Sequence, residues 1–124
     1  MFENIREVAQ GVVSNVFETM FFISSNSCED DFHGKETLKF SPPIFRGEIG
    51  FRGNCSGRLI LSVPYELAKV MATNFMGLEN DEISESQTMD VVGELCNVIC
   101  GNLFARLDKK NTYILNATDT DRFS

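Results

Sequence analysis

Residues 84 to 107, SESQTMDVVGELCNVICGNLFARL, constrain the fold more than any other stretch, because they read as one long helix with two unlike faces. Ser84 and Gln87 have the spacing of a capping box, so the helix is expected to start there and run to about Leu107. At about 100° per residue, with Asp90 as zero, Val92, Leu95, Cys96, Ile99 and Leu103 fall at roughly 140° to 240°. That side must be buried, and the natural cover is a sheet. On the opposite side Glu94 falls near 40°, Asn97 near −20° and Gly101 near 20° of Asp90, so two carboxylates, an amide and a glycine share one outward line.

The rest of the chain supplies the cover. From Glu3 to about Phe22, apolar residues at Ile5, Val8, Ala9, Val12, Val16, Met20 and Ile23 follow helical spacing. The segment SSNSCEDDFHGKE, residues 24 to 36, is polar and turn-rich, and its carboxylates lack the spacing of a calcium loop. After Pro42 and Pro43 the pattern changes to Ile44–Phe51, a turn at RGNCSG, and RLILSV with Leu59, Leu61 and Val63 alternating, which predicts a hairpin. The glycines at 47, 50, 53 and 57 are read as turn and bulge residues, since no Gly-Lys-Ser/Thr ending follows that would make a phosphate cradle. Pro64 suits the first turn of a second amphipathic helix, PYELAKVMATNFMG, ending near Gly77. Tyr113 to Ala117 are expected to form one last short strand. The order helix, two strands, helix, long helix, strand gives an α+β fold, an antiparallel sheet packed against helices.

A length of 124 residues suits one domain, residues 1–124, burying about 65% of the surface its unfolded chain exposes. With 18 acidic against 11 basic residues, the net charge of −7 repels phosphate backbones and anionic headgroups, so neither nucleic acid nor membrane is an expected partner. No apolar stretch approaches the ~20 residues needed to span a bilayer, and no basic region leads into an apolar one at the N-terminus, so a cytoplasmic location is expected. Metal chemistry of the chain's own is not expected either. Cys28 and Cys55 stand alone, Cys96 and Cys100 lie one turn apart where buried cysteine packs as a small hydrophobe, and His33 sits in the polar loop with no catalytic companion.

A plain surface helix would also present a polar line. Two features favour a docking face. Gly93 and Gly101 each cost about 1 kcal/mol relative to Ala inside a helix, which points to close approach by another backbone or a partner. The line also lacks lysine and arginine, whereas a merely solvated face usually mixes charge signs.

The stretch DVVGELCNVICGN matches Asp/Ser-x-x-x-Glu-x-x-Asn followed by a Gly-Asn pair, and so resembles the CheC/CheX-type phosphatases of bacterial chemotaxis. Upstream, FRGEIGFRGNCSGRLILSVPYELAKVMATNFMG is similar to that family's hairpin, Gly-rich turn and Pro-led helix, so residues 44 to 108 are covered. Helix 1 carries no second Glu-x-x-Asn, since Glu18 is followed by Thr19, Met20 and Phe21, which makes the chain look like the single-motif CheX branch. The family normally continues into two strands, and here 14 residues follow Lys110.

The resemblance implies a CheX-like domain that hydrolyses the aspartyl phosphate of a phosphorylated CheY-like response regulator. It implies that Glu94 pairs with the regulator's active-site lysine and that Asn97 orients a water in line with phosphorus, while Asp90 and Gly101 support the docking face. An amide suits the task, since it accepts from and donates to water without adding negative charge beside a phosphoryl group. Mg²⁺ is expected in the regulator, with no cofactor in this chain, and a homodimer is expected through sheet edges or the hairpin. The alternatives are a non-catalytic binding module for a regulator or flagellar-switch component, and a structural subunit with an ordinary wet face.

Overall fold

The computed structural model describes residues 4–21, 23–24, 43–53, 55–79, 82–108, 110 and 113–123. The acidic loop with Cys28 and His33 therefore lies outside the described residues. The elements are α1 (Ile5–Met20), β1 (Ile44–Arg52), β2 (Gly57–Pro64), α2 (Tyr65–Met76), α3 (Glu85–Leu107), β3 (Ile114–Leu115) and β4 (Asp119–Phe123). Three helices pack with an antiparallel sheet of four strands, the α+β architecture expected from the sequence.

Strand β1 is the centre of the sheet. β2 lies along one side of it, antiparallel and without interruption from Ile44↔Pro64 to Phe51↔Gly57. β3 and β4 share its other side, with Phe51↔Leu115 at one end and Ile44↔Phe123 at the other. The inward positions of β1 alternate as expected for a strand with one covered face, Phe45 and Ile49 being almost fully buried. Gly47 lies between them, and a Cβ there would stand 2.9 Å from the Cβ of Cys96, so α3 rests directly on the strand at this point. The sequence reading of Gly47 and Gly50 as turn or bulge residues is thus corrected. Both sit inside β1, in regular pairing with Leu61 and Arg58, and the missing side chain at Gly47 serves helix–sheet contact.

The helix boundaries follow their caps. Ser84 Oγ accepts from the Gln87 N–H at 3.1 Å, and Gln87 Oε1 accepts from the Ser84 N–H at 2.9 Å, so the expected capping box is present. α2 begins one residue later than expected, because Pro64 keeps an extended conformation as the N-cap, and it stops at Gly77 in the left-handed region. α3 ends at Asp108, whose N–H donates to the Phe104 carbonyl at 2.7 Å and whose Oδ2 accepts from the Tyr113 N–H at 2.7 Å. That buried carboxylate ties the end of α3 to the start of β3. Val12, Val16, Phe21, Phe45, Met71, Val92 and Leu95 form the main core, and Ile49, Cys96, Cys100 and Phe104 form a second cluster beneath the other half of α3.

The C-terminal segment departs from expectation. One short strand over Tyr113–Ala117 is replaced by two, β3 of two residues and β4 over Asp119–Phe123. β4 reads DTDRF and every residue of it is exposed, so no apolar alternation announces it. Its strand form comes from the free edge of β1, where backbone pairing makes little demand on side-chain type.

Candidate functional site

The two faces of α3 separate as their angles predict. Thr88, Val91, Val92, Gly93, Leu95, Cys96, Ile99, Cys100, Leu103 and Phe104 are buried, whereas Asp90, Glu94, Asn97 and Gly101 are all exposed. Positions three and four apart on a helix stand about 5–6 Å apart at Cβ, so Asp90, Glu94, Asn97 and Gly101 form a continuous ridge. Among the described residues neither Asp90 nor Glu94 has a basic side chain within salt-bridge distance. Around Gly101 a Cβ would meet nothing within 4 Å, so this end of the ridge is open.

The flanks of the ridge differ. On the Glu94 side, Asp90, Val91, Glu94 and Gln87 border a groove of about 350 Å³ whose other wall is Phe75 and Met76, from the end of α2. These two apolar side chains are 45% and 41% exposed, enough to offer a partner an apolar hold beside the carboxylates of Asp90 and Glu94. On the Asn97 side lies the C-terminal segment. Thr118 donates its hydroxyl hydrogen to Asn97 Oδ1, the Thr120 methyl lies against Gly93, and Arg122 Nε pairs with Glu85 Oε1 at 2.7 Å. Alternate residues 118, 120 and 122 therefore meet α3 progressively nearer its N-terminus, at Asn97, Gly93 and Glu85. Close approach at Gly93, where a Cβ would come within 2.9 Å of Thr120 Cγ2, is a contact within the chain.

Asn97 is thus exposed and held by one bond from a different segment of the chain. Beneath the ridge, burial pushes the Cys96 thiol up to about 11, with the neighbouring Cys100 adding to the effect, and burial raises Cys100 as well. Both therefore stay neutral at physiological pH and pack beneath α3 with Ile49 and Phe104 as small hydrophobes. Among the described residues no group of three or more His, Cys, Asp or Glu side chains is placed to hold a metal ion.

Sequence reasoning named Asp90, Glu94, Asn97 and Gly101 but missed Thr118, Phe75 and Met76. For Thr118 there was no local signal, since its place depends on how the tail pairs with β1. Phe75 and Met76 stand just before the helix-ending Gly77, and two bulky apolar residues at an exposed helix end were a legible hint of a contact surface.

The sequence profile of the chemotaxis phosphatase CheX matches residues 45–116, more than half of the chain. Among proteins of curated function, none matches the sequence significantly. Among solved structures, the chain is similar to a CheC-like superfamily protein from Shewanella sp. PV-4, at 21% identity and a TM-score of 0.72, covering 98% of this chain and 77% of that one. It is also similar to the chemotaxis protein CheX from Vibrio vulnificus, at 17% identity and a TM-score of 0.74, over 97% and 78% of the two chains. A third likeness is to CheX from Borrelia burgdorferi, solved in complex with CheY, BeF3 and Mg²⁺, at 22% identity and a TM-score of 0.66, over 94% and 75%. At these identities the likeness establishes the fold.

Proposed function

We propose, for a chain that belongs to the family of the chemotaxis phosphatase CheX, that it hydrolyses the aspartyl phosphate of a phosphorylated CheY-like response regulator. The observation that carries this reading is the ridge on α3, where Glu94 and Asn97 stand side by side, exposed, with a carboxylate that no described basic side chain pairs on one and a held amide on the other. The complex of the similar B. burgdorferi protein with CheY, BeF3 and Mg²⁺ supports a regulator as partner, since beryllofluoride stands in for a phosphoryl group.

In this reading the protein works as a single CheX-like domain, in the cytoplasm, and the regulator supplies most of the chemistry. Its acyl phosphate is already activated and its Mg²⁺ neutralises charge on the phosphoryl oxygens, so placing a water is the step left to this chain. Glu94 pairs with the regulator's active-site lysine and fixes α3 over the phosphorylation site. Asn97 enters and orients a water in line with the phosphorus. Water adds to phosphorus as the bond to the aspartyl oxygen breaks, giving inorganic phosphate and the free carboxylate. Asp90 keeps the ridge negative, open Gly101 lets the regulator's backbone come close, and the Phe75–Met76 wall receives an apolar side chain of the regulator.

The test is to mix the protein with phosphorylated CheY-like regulators in Mg²⁺ and follow phosphate loss. Accelerated loss that a chelator stops, with no change in the urea midpoint of this protein, is the expected result. Tight binding to a beryllofluoride-loaded regulator with no acceleration would make the chain a binding module instead. The protein is also proposed to be a homodimer, because β2 and the β3–β4 side leave edges that no described strand covers. Sedimentation as a monomer at about tens of micromolar, well above the dissociation constant of a stable dimer, would remove that proposal.

A further inference from the structure

We propose that Thr118 is a positioning residue that holds the Asn97 amide in its working orientation; the inference rests on the reading of Asn97 as the group that orients water. An exposed asparagine amide is free to turn about its last torsion, whose energy profile is broad. Either its carbonyl or its NH2 group would then face a reacting water, and much of the time neither would be aimed. In this chain the Thr118 hydroxyl donates to Asn97 Oδ1. That bond fixes which end of the amide faces the strand. It leaves one lone pair on Oδ1 and both N–H donors available to a water.

The position of Thr118 is itself built. Between the pairs Phe51↔Leu115 and Glu48↔Asp119, β1 advances three residues while its partner advances four, so the segment Asn116–Thr118 carries one extra residue. This is a β-bulge, a device that turns a side chain to the face it would otherwise miss. Without it Thr120 and Arg122 would face the side opposite to Leu115. With it Leu115, Thr120 and Arg122 share the α3 side, and Thr118, two residues before Thr120, falls in step with them. Both ends of the bulge are held. The Asn116 N–H donates to the Gly50 carbonyl at 2.9 Å, and beyond Thr118 the strand is fixed by Thr120 on Gly93 and by Arg122 on Glu85 at 2.7 Å. The hydroxyl is therefore presented from a supported strand, and Asn97 is set before the regulator arrives. This lowers the ordering cost that the reaction would otherwise carry.

A contact that merely fastens the C-terminal segment to α3 would be spread over Thr118, Thr120 and Arg122 and would not depend on the hydroxyl of one. The test uses Thr118→Val, which keeps the shape and removes the hydroxyl, and Thr118→Ser, which keeps the hydroxyl. With a phosphorylated CheY-like regulator and Mg²⁺, Thr118→Val is expected to lower kcat about three- to tenfold with KM little changed, and Thr118→Ser to restore it. Asn97→Ala combined with Thr118→Val should be no slower than Asn97→Ala alone, because the two act through one group. A second arm needs no activity. Nitrogen-15 relaxation of the Asn97 side-chain amide should report an ordered group in the wild type and in Thr118→Ser, and a mobile one in Thr118→Val.

Equal amide order in the wild type and Thr118→Val would overturn the proposal whatever the rates. So would wild-type kcat in Thr118→Val, a Thr118→Ser variant as slow as Thr118→Val, or a double variant slowed by the full product of the single effects. Failure of the underlying reading looks different. Asn97→Ala would then hydrolyse at full rate while the amide of the wild type stayed ordered, which would also leave Thr118 without a reaction to serve.

Discussion

The inner and outer faces of α3 are made from the same 23 residues, and they meet opposite surroundings, core on one side and solvent on the other. Leu95 and Ile99 on the inner face are at most 4% exposed, and each such side chain contributes about 1.5–3 kcal/mol by leaving water. Asp90, Glu94 and Asn97 on the outer face bury little and contribute little. Because the sheet and α2 already fix the helix from within, the outer line is free to be chosen for another molecule. Interleaving the two sets along the same turns of one helix also means that an outer residue stands on backbone fixed by the core residues beside it.

The sharpest way to break this comparison is to truncate one residue on each face. Ile99→Ala should cost about 2–5 kcal/mol, seen as a lower urea midpoint, because it leaves a cavity between α3 and the core. Asn97→Ala should leave the midpoint nearly unchanged, since the exposed bond to Thr118 that it removes is offset by the better helix propensity of alanine. Similar losses in both variants would mean that the outer line holds the fold.

Turnover should show the reverse order. Asn97→Ala is expected to slow hydrolysis of the phosphorylated regulator at least about tenfold, equivalent to ~1.4 kcal/mol of barrier, while much of the binding to a beryllofluoride-loaded regulator survives. Full hydrolytic activity in this variant would remove the water-orienting role. Ile99→Ala, assayed at a temperature where it is folded, should retain most of its rate, because its side chain meets no regulator atom.

Much of the inner face was legible in the sequence because burial imposes a period. The positions of Val92, Leu95, Cys96, Ile99 and Leu103 followed from 3.6-residue spacing, the start at Ser84 from a capping box, and the β1–β2 hairpin from alternation. The outer line was legible as a line, and the match to a family motif gave it candidate roles. What surrounds it was not. Thr118 reaches Asn97 across 21 residues of chain through a bulge in an exposed strand, and β4 is held by backbone pairing that leaves no mark on side-chain type. Gly93 and Gly101 looked alike in sequence, yet one faces a strand and the other faces open space.

A smaller effect is expected at Glu94, and it sharpens the outer face into two roles. If its carboxylate pairs with a lysine of the regulator, Glu94→Ala should weaken binding of the beryllofluoride-loaded regulator by a few-fold, of order 1 kcal/mol, and Glu94→Lys should weaken it further by placing like charges together. Raising the salt concentration should narrow the gap between wild type and Glu94→Ala. Asn97→Ala should show the complementary pattern, with slower turnover and less change in binding. Equal binding by wild type and Glu94→Lys would exclude an anchoring role.

The finest comparison sets the two glycines of α3 against each other. Gly101 lies in the helix with nothing within 4 Å of a built Cβ, so Gly101→Ala should raise stability by up to about 1 kcal/mol through helix propensity alone. At Gly93 the same change gains the same propensity but drives a methyl to 2.9 Å from Thr120 Cγ2. Thr120 belongs to an edge strand that can give way, so the gain should be cancelled without unfolding the protein, and the urea midpoint of Gly93→Ala should fall below that of Gly101→Ala. Binding should then separate the readings of Gly101. If its open surface admits the regulator's backbone, Gly101→Ala will be the more stable protein and the weaker binder, two effects of opposite sign from one methyl group. A Gly101→Ala variant that is more stable and binds the regulator as tightly as wild type would place the docking surface further toward Glu94 and the Phe75–Met76 groove.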